Sequence, residues 1–282
     1  MKRAIVILAF AVVLVVSGCT TEPKYSNSIQ NIPDFSGSPY VAVNNNQPEF
    51  SEDDIVTDSY EFYSELDQYN RCGYAMACIG VDIMPTEERG SIGQVKPTGW
   101  QTVKYDFVDG KYLYNRCHLI GYQLTGENAN PENLITGTRY LNVEGMLPFE
   151  NMVADYIKET GNHVMYRVTP VFRGDEMVAR GVQIEALSVE DNGEGITFNI
   201  YAYNNQPGIV IDYATGNSSA TEIENSEDAG TIKFILNLDS KKFHTASCSR
   251  GKAIKRENKK DYSGSRESLL SEGYDPAGCC NP

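Results

Sequence analysis

Apolar and polar positions alternate along the second half of the chain in a pattern typical of β-strands. The runs 163–172, 178–187 and 196–203 are rich in β-branched and aromatic residues, and short turns containing Gly, Asn and Asp separate them. Such runs with short connections predict an antiparallel meander. A further strand is predicted at 74–81, between a polar turn and a loop that contains Pro and Gly.

Helical spacing predicts an amphipathic helix at 148–158. Its apolar residues are Phe149, Met152, Val153, Tyr156 and Ile157. Pro148 suits the first turn of a helix, and Gly161 suits the residue after its end. A less regular pattern at 59–68 is interpreted as a second helix that ends in a turn at 67–73. Strands and helices in separate runs predict the α+β class.

A hairpin is predicted at 101–114. Residues 101–107 alternate in polarity, Asp109 and Gly110 form a favoured turn pair, and 112–114 supply the returning strand. This strand leads directly into Asn-Arg-Cys-His at 115–118. The hairpin would therefore present the histidine at its end.

The first nineteen residues have the composition of an export signal. Lys2 and Arg3 precede an apolar run at 4–16, and Ser-Gly-Cys follows, ending at Cys19. A cysteine after small residues resembles a lipidation site, so we predict a signal peptide at 1–18 and a lipid anchor on Cys19. A plain signal peptide and an uncleaved anchor are the alternatives. All three place the remaining chain outside the cytoplasm, and we expect it at the extracellular face of the membrane or secreted.

Composition divides the remainder into four parts. Residues 19–55 are rich in Asn, Ser, Pro and Gln and are predicted to be a flexible tether. Residues 56–215 carry the strands and the helix, and 216–230 are a predicted linker. Residues 231–282 would form a small separate module.

Charge restricts the partners that this chain can hold. The net charge is −14, and residues 20–230 carry 12 basic against 32 acidic residues, a net −20. A tightly held DNA binder has the opposite balance. An enzyme that contacts phosphate at one small cationic site and then releases it is compatible with this composition.

The segment 116–150 contains the groups that phosphodiester hydrolysis requires. His118 is a candidate general base, Arg116 and Arg139 are candidate cations, and the oxygens of Asn142 and Glu150 are hard donors suited to Mg²⁺. Asn133 lies between them in a predicted loop. From residue types alone, each of these side chains could equally be structural.

The order of these residues resembles the DNA/RNA non-specific endonucleases of the ββα-metal fold, most closely the secreted streptococcal DNases. Residues 115–118 are similar to the Asp-Arg-Gly-His signature of that family, 133–136 to its Asn-containing loop, and Asn142 and Glu150 have its eight-residue separation. The resemblance spans Tyr60 to Tyr213. It implies a ββα-metal core on a mainly antiparallel twisted sheet, followed by a small C-terminal Cys/His module.

The resemblance also implies roles for individual residues. His118 would be the general base, Asn142 the Mg²⁺ ligand, and Glu150 the group that orients metal-bound water, with Mn²⁺ as a substitute ion. Arg116 would bind the phosphate. In-line attack by water would leave 5′-phosphate ends. The candidate substrate contacts outside this core are Arg139, Arg167 and Asn133.

Two residues depart from the family signature. Asn115 replaces an Asp, so a neutral amide would have to replace a carboxylate as hydrogen-bond acceptor. Cys117 replaces a Gly, and its Cβ would clash if the backbone had a positive φ. Cys117 also suggests a thiol nucleophile with His118 as its base, but neighbouring side chains on an extended chain point to opposite faces.

The other cysteines divide between the two halves of the chain. A strand between Cys72 and Cys78 would hold them too far apart for a disulfide, so we expect buried free thiols. The C-terminal module resembles one found on competence-related proteins, which implies Zn²⁺ bound by His244, Cys248 and Cys280. Ala277 occupies the position of a further ligand. The alternative is a small basic module without metal, with 10 basic against six acidic residues.

Two functions follow from these patterns. The first is a membrane-anchored endonuclease that cuts DNA, with RNA as a further candidate substrate. The second is a lipoprotein that captures DNA without cutting it, since Asn115 and the acidic balance weaken the case for catalysis. We expect a monomer in either case.

Overall fold

The computed structural model describes residues 32–221, 232–246, 248–264, 266–278 and 280. They fall into two compact units, the first ending at Ala220 and the second starting at Thr221. The predicted signal at 1–18 and the predicted lipidation site at Cys19 lie outside the described residues. Within the described ranges, no helix is both long and apolar enough to cross a membrane.

The first unit combines ten strands and two α-helices within its described part. The strands are β1 (Tyr40–Ala42), β2 (Tyr60–Tyr63), β3 (Ala75–Ile79), β4 (Tyr114–His118), β5 (Leu134–Thr138), β6 (Val164–Val171), β7 (Gly181–Ser188), β8 (Thr197–Tyr203), β9 (Ile209–Ile211) and β10 (Ser218–Ala220). The helices are α1 (Tyr122–Thr125) and α2 (Leu147–Thr160), and a π-helical segment at Leu141–Met146 precedes α2. The mixture of an antiparallel sheet with separate helices is the predicted α+β class.

Six of these strands form one antiparallel sheet in the order β1-β8-β7-β6-β3-β2. The predicted meander is confirmed, since β6, β7 and β8 are consecutive and pair with one another. The predicted helix is also confirmed. Pro148 lies in its first turn, and Gly161 ends it with a φ of 75°.

The two faces of the sheet bury different residues because side chains alternate along each strand. Ala75, Ala77 and Ile79 of β3 pack in the main core with α2, whereas Met76 and Cys78 pack on the opposite face. Residues from the segment before β2, including Phe50 and Val56, cover that second face. The sheet is therefore buried on both sides.

Strands β4 and β5 form a separate antiparallel ribbon, with Tyr114 opposite Thr138 and His118 opposite Leu134. The π-helical segment and α2 follow β5, which gives the β-β-α order. The predicted hairpin at 101–114 is present as an antiparallel bridge between Lys104 and Tyr112, flanked by backbone hydrogen bonds from Tyr105 to Lys111 and from Leu113 to Val103. It leads into β4, whose own ladder comes from β5.

Three predictions need correction. The predicted helix at 59–68 is strand β2, whose aromatic residues pair with β3. The predicted tether at 19–55 contains β1, which pairs with β8, and the predicted linker at 216–230 contains β10, which pairs with β9. In both segments backbone pairing orders a stretch whose polar composition had suggested a loop.

In the ranges described from residue 221 onward, the second unit is a four-stranded sheet with two short α-helices. Its strands are β11 (Ile232–Asn237), β12 (Lys242–Thr245), β13 (Lys259–Gly264) and β14 (Asp275–Pro276), and its helices are α3 (Ser249–Lys252) and α4 (Arg266–Ser271). The order is β13-β11-β12-β14. Its core consists of Phe234, Leu236, Phe243, Leu269 and Tyr274. The unit thus has an apolar centre of its own.

Candidate active site

A cleft of about 600 Å³ opens beside the ribbon and the start of α2. Its lining residues are Arg89, Ile92, Trp100, Thr102, Tyr112, Tyr114, Asn115, Arg116, His118, Gly121, Tyr122, Arg139, Asn142, Leu147 and Glu150. Its volume lies in the usual range of ligand sites, roughly 300–1,000 Å³. Three arginines and one carboxylate border it, so the cleft is locally cationic within an acidic unit.

His118 is the last residue of β4 and is 6% exposed. Its Nε2 lies 2.7 Å from the backbone oxygen of Asn128, and its Nδ1 lies 3.3 Å from Nη2 of Arg89. A carbonyl only accepts and a guanidinium only donates, so Nε2 carries the proton and the lone pair of Nδ1 accepts from Arg89. Burial lowers the pKa of His118 to about 4, and the charge of Arg89 acts in the same direction. The ring is therefore a neutral base at pH 7.

Arg116 is held by the loop that precedes the ribbon. Its Nε donates to the carbonyl of Val95, its Nη2 donates to the carbonyl of Gly93 at 2.9 Å, and its guanidinium lies 4.0 Å from the ring centroid of Trp100. These contacts fix the loop containing Arg89 against β4. Arg116 lines the cleft, but its Nε and Nη2 already donate to backbone carbonyls of the protein.

Asn115 connects two other cleft residues. Its Oδ1 accepts from Nη1 of Arg139 at 3.4 Å and from Nδ2 of Asn142 at 3.5 Å. Arg139 also forms an ion pair with Asp109 at 2.8 Å. The neutral amide thus holds the amide of Asn142 and the guanidinium of Arg139 on one side of the cleft, and it has no direct contact with His118 among the described hydrogen bonds.

Glu150 lies in the first turn of α2, a position where the helix dipole favours a negative charge. Its carboxylate packs against Gly121, where a Cβ would lie 2.6 Å from Oε2. Burial raises the pKa of Glu150 to about 7, while a hydrogen bond from Gln123 and the charge of Arg89 act in the opposite direction. The pKa of this carboxyl group therefore lies well above that of an exposed glutamate.

Comparison with known proteins identifies this region. The family profile described as DNA/RNA non-specific endonuclease matches residues 51–190. This part of the chain belongs to that family. The match contains β4, β5 and α2, and hence every residue of the cleft, so the fold resemblance inferred from the motif order is confirmed.

Relatives of the nuclease domain come from streptococci. A deoxyribonuclease of Streptococcus dysgalactiae subsp. equisimilis is 31% identical over 137 residues, which are 45% of this chain and 41% of that protein. The chain therefore spans less than half the length of this curated relative.

Two solved structures share the fold. NucA of Streptococcus agalactiae with a bound magnesium ion has a TM-score of 0.60 at 26% identity, over 69% of this chain and 92% of its own. Sda1 nuclease with a bound zinc ion has a TM-score of 0.54 at 26% identity, over 65% and 97% of the two chains.

Not all candidate residues of the nuclease domain lie in the cleft. His118, Arg116, Asn142, Glu150 and Arg139 all line it. Arg167 does not, and its prediction as a substrate contact needs correction. It is 1% exposed on the opposite face of the sheet, where it forms an ion pair with Glu185 at 2.7 Å.

Asn133 also needs correction as a substrate contact. Its side chain is fully buried, accepts from the backbone nitrogen of Ile120 at 2.9 Å and donates to the oxygen of Ile120 at 3.1 Å. These two bonds tie the start of β5 to the chain just after His118. Asn133 therefore positions the ribbon from within the core.

Cys117 points away from the cleft and is fully buried. Its φ is not in the left-handed region, so the Cβ is accommodated in a regular strand. Across the ribbon, a Cβ at Gly137 would overlap Cys117 Sγ, so the absence of that Cβ makes room for the thiol. Burial raises the pKa of Cys117, which argues against a thiolate nucleophile. Cys72 and Cys78 are buried free thiols, as predicted.

Two contributors to the cleft had no sequence signal. Arg89 lies in a loop 29 residues before His118, and Asn128 acts only through its backbone oxygen. A backbone acceptor leaves no trace in residue type. Arg89 could have been suspected only as a cation in a loop rich in Gly and Pro.

In the second unit, the donor atoms of His244, Cys248 and Cys280 lie within 4.8 Å of one another. His244 Nδ1 is 3.5 Å from Sγ of Cys248 and 3.8 Å from Sγ of Cys280. Ala277, three residues before Cys280, is buried. Cys279 lies outside the described residues. The fold brings together the three residues that the sequence predicted as zinc ligands.

Proposed function

We propose that this protein is a metal-dependent endonuclease that hydrolyses DNA, with RNA as a second substrate, at the extracellular face of the membrane through a lipid on Cys19. The observation that carries the proposal is the state of His118. A buried, neutral histidine with its Nδ1 lone pair on the side of three arginines is suited to remove a proton from water beside a phosphate.

The residues of the cleft divide the chemistry among them. His118 Nδ1 would accept the proton of the attacking water, and the carbonyl of Asn128 would stabilise the imidazolium that forms. Arg89, Arg116 and Arg139 would stabilise the charge that develops on the phosphate oxygens. Arg89 donates to Nδ1, so a bound phosphate that attracts its guanidinium would free the base.

The donor set fits Mg²⁺. The amide of Asn142 and the carboxylate of Glu150 border one cleft and offer hard oxygens, and few protein ligands are needed because Mg²⁺ retains several waters. Asn142 would bind the ion, with Mn²⁺ as a substitute, and Glu150 would orient its waters. When bound, the ion would supply Lewis-acid stabilisation of the leaving oxygen. The NucA structure with magnesium supports this choice.

Digestion of supercoiled plasmid tests the proposal. The protein without residues 1–19 should nick and linearise plasmid with Mg²⁺ and fail with EDTA. His118→Ala should reduce the rate at least about 10³-fold. His163→Ala is the matched control, since that histidine pairs with Glu190 and does not line the cleft. If the unaltered protein binds plasmid and never cuts it, the DNA-capturing function replaces the nuclease.

We also propose that His244, Cys248 and Cys280 bind Zn²⁺ in the second unit. One imidazole and two thiols are suitable zinc ligands, and their donor atoms converge. Elemental analysis of the full protein should give about one zinc per chain. Cys280→Ser should abolish it, whereas Cys72→Ser, at a buried thiol outside the cluster, should leave it unchanged. Cys279→Ser tests whether that residue replaces the ligand missing at Ala277. Zinc-free protein would establish the module as metal-independent.

A further inference from the structure

One wall of the cleft carries an aromatic ring and an ammonium that the proposed hydrolysis does not use. Tyr112 lines the cleft and is 46% exposed. An antiparallel bridge places Lys104 opposite it, with Nζ 4.5 Å from the centre of the Tyr112 ring. The pair lies on the two-stranded segment that enters β4, the strand that ends at His118.

A second aromatic ring lines the same wall but is already occupied. Trp100 lies under the guanidinium of Arg116 at 4.0 Å. Lys104 likewise lies against the Tyr112 ring, but of the aromatic rings that line the cleft Tyr112 is the exposed one, whereas Trp100 and Tyr122 are half-buried and Tyr114 is buried.

We infer that Tyr112 and Lys104 form a stacking subsite for an unpaired nucleobase next to the scissile phosphate. This inference rests on the proposed nuclease function and names the substrate class, namely single-stranded or locally opened nucleic acid. Aromatic rings bind any base through its π face, and a neighbouring cation follows the backbone without reading sequence.

The charge of the domain supports this class of substrate. A net −20 over residues 20–230 repels a polyanion outside the cationic cleft. Stacking supplies binding energy that does not depend on net charge. Bases within an intact duplex are already stacked on their neighbours, so only an unpaired base can use the Tyr112 ring.

Three variants separate stacking from other roles of Tyr112. Tyr112→Ala removes the ring, and Tyr112→Phe keeps the ring and removes the hydroxyl. Phe107→Ala is the control, because Phe107 is 60% exposed and does not line the cleft. Both positions are exposed enough for the fold to persist, which thermal melting of each variant checks.

The substrates are a single-stranded oligonucleotide and a strand of equal length with a tetrahydrofuran abasic residue at every position. Both strands carry the same phosphates. The kcat/KM of the base-bearing strand divided by that of the abasic strand therefore measures the contribution of the bases to cleavage. Tyr112→Ala should lower this ratio at least about fivefold. Tyr112→Phe and Phe107→Ala should leave it unchanged. Lys104→Gln should lower kcat/KM for both strands equally.

Two results would overturn the inference. Equal ratios for Tyr112→Ala and Phe107→Ala would show that the ring does not stack on a base, and a matching loss in Tyr112→Phe would assign the effect to the hydroxyl. If the unaltered protein cuts plasmid but neither strand, the inference fails and the proposed function stands; if it cuts neither strand and no plasmid, the proposed function fails. Stacking is then measured by the quenching of 2-aminopurine in a bound single strand, which Tyr112→Ala should abolish and Phe107→Ala should not.

Discussion

Arg139 and Arg167 are arginines of the same nuclease domain, both of which the sequence suggested as phosphate contacts, yet they lie on opposite sides of the sheet. Arg139 borders the cleft, pairs with the exposed carboxylate of Asp109 and contacts Asn115. Arg167 is buried, pairs with Glu185 and donates to the carbonyl of Glu49 at 2.8 Å. The first can exchange its partner for a substrate phosphate, while the second cannot leave its partner without stranding a buried charge.

The difference comes from the covering segment rather than from the strand. Residues 46–50 lie over the face of the sheet that carries Arg167, where Asn46 and Gln47 accept hydrogen bonds from Asn199 and Phe50 lies 4.9 Å from the guanidinium. An arginine on a strand can bind a ligand only if the face of the sheet on which its side chain lies remains accessible to solvent. The cleft face stays open around β4 and α2, and the opposite face does not.

The largest expected effect tests the buried pair. Arg167→Met leaves Glu185 without its cation and should lower the free energy of unfolding by about 3–5 kcal/mol. Urea unfolding monitored by circular dichroism measures this change. Cleavage per folded molecule should remain close to that of the unaltered protein.

A double variant gives the control for this prediction. Arg167→Met combined with Glu185→Leu replaces both charges by apolar groups and should recover most of the lost stability. If Arg167→Met unfolds like the unaltered protein and loses cleavage, Arg167 reaches the substrate and the contrast with Arg139 disappears.

The second prediction concerns the cleft face. Arg139→Gln should lower kcat/KM on the order of 100-fold, since it removes one of the three arginines proposed to stabilise the phosphate charge. Its unfolding should change by no more than about 1 kcal/mol, because its ion pair with Asp109 is exposed. Asp109→Asn is the control and should retain cleavage. A large loss of stability in Arg139→Gln would assign this arginine to the fold.

The smallest expected effect is a change in pH dependence. Because burial and Arg89 hold the pKa of His118 near 4, the base stays neutral and the acid limb of kcat/KM should lie well below pH 6.5. Arg89→Gln removes one cause, so the limb should move to higher pH. Arg139→Gln should lower the rate without moving the limb. If the acid limb of Arg89→Gln stays at the same pH, Arg89 does not influence the pKa of the catalytic base.

The same pKa makes stability depend on pH. Between pH 6.5 and 4 the unfolded chain binds a proton at His118 that the folded protein excludes, so stability should fall as the pH is lowered through this window. His118→Gln should flatten this part of the unfolding profile. Above pH 6.5 the two proteins should have parallel profiles.

The sequence predicted elements whose signals are local. Helix α2 carried its apolar period, its proline and its terminal glycine within fifteen residues, and the meander carried its turns between its strands. Four cleft residues, Arg116, His118, Asn142 and Glu150, were identified because their order along the chain is itself the signal. These features need no knowledge of distant partners.

Features that depend on distant contacts were missed. The pairing of β4 with β5 spans the residues from 119 to 133, so the sequence indicated the nearer hairpin but not this ladder. Arg89 approaches His118 from a loop with no strand or helix pattern, and the burial of Arg167 depends on residues more than a hundred positions earlier. Polar composition likewise concealed β1, because three residues are too few to show a period.

Strand β1 also determines where the nuclease domain can be cut. It pairs with β8, and the backbone groups of Pro39 and Val43 extend that ladder through Tyr203 and Asn199. A protein trimmed to start at residue 56 would leave β8 as an open edge, onto which a strand of another molecule can add. Self-association of such a fragment would therefore be a property of the missing strand. Proteolysis that leaves the edge of this sheet covered must act before Pro39.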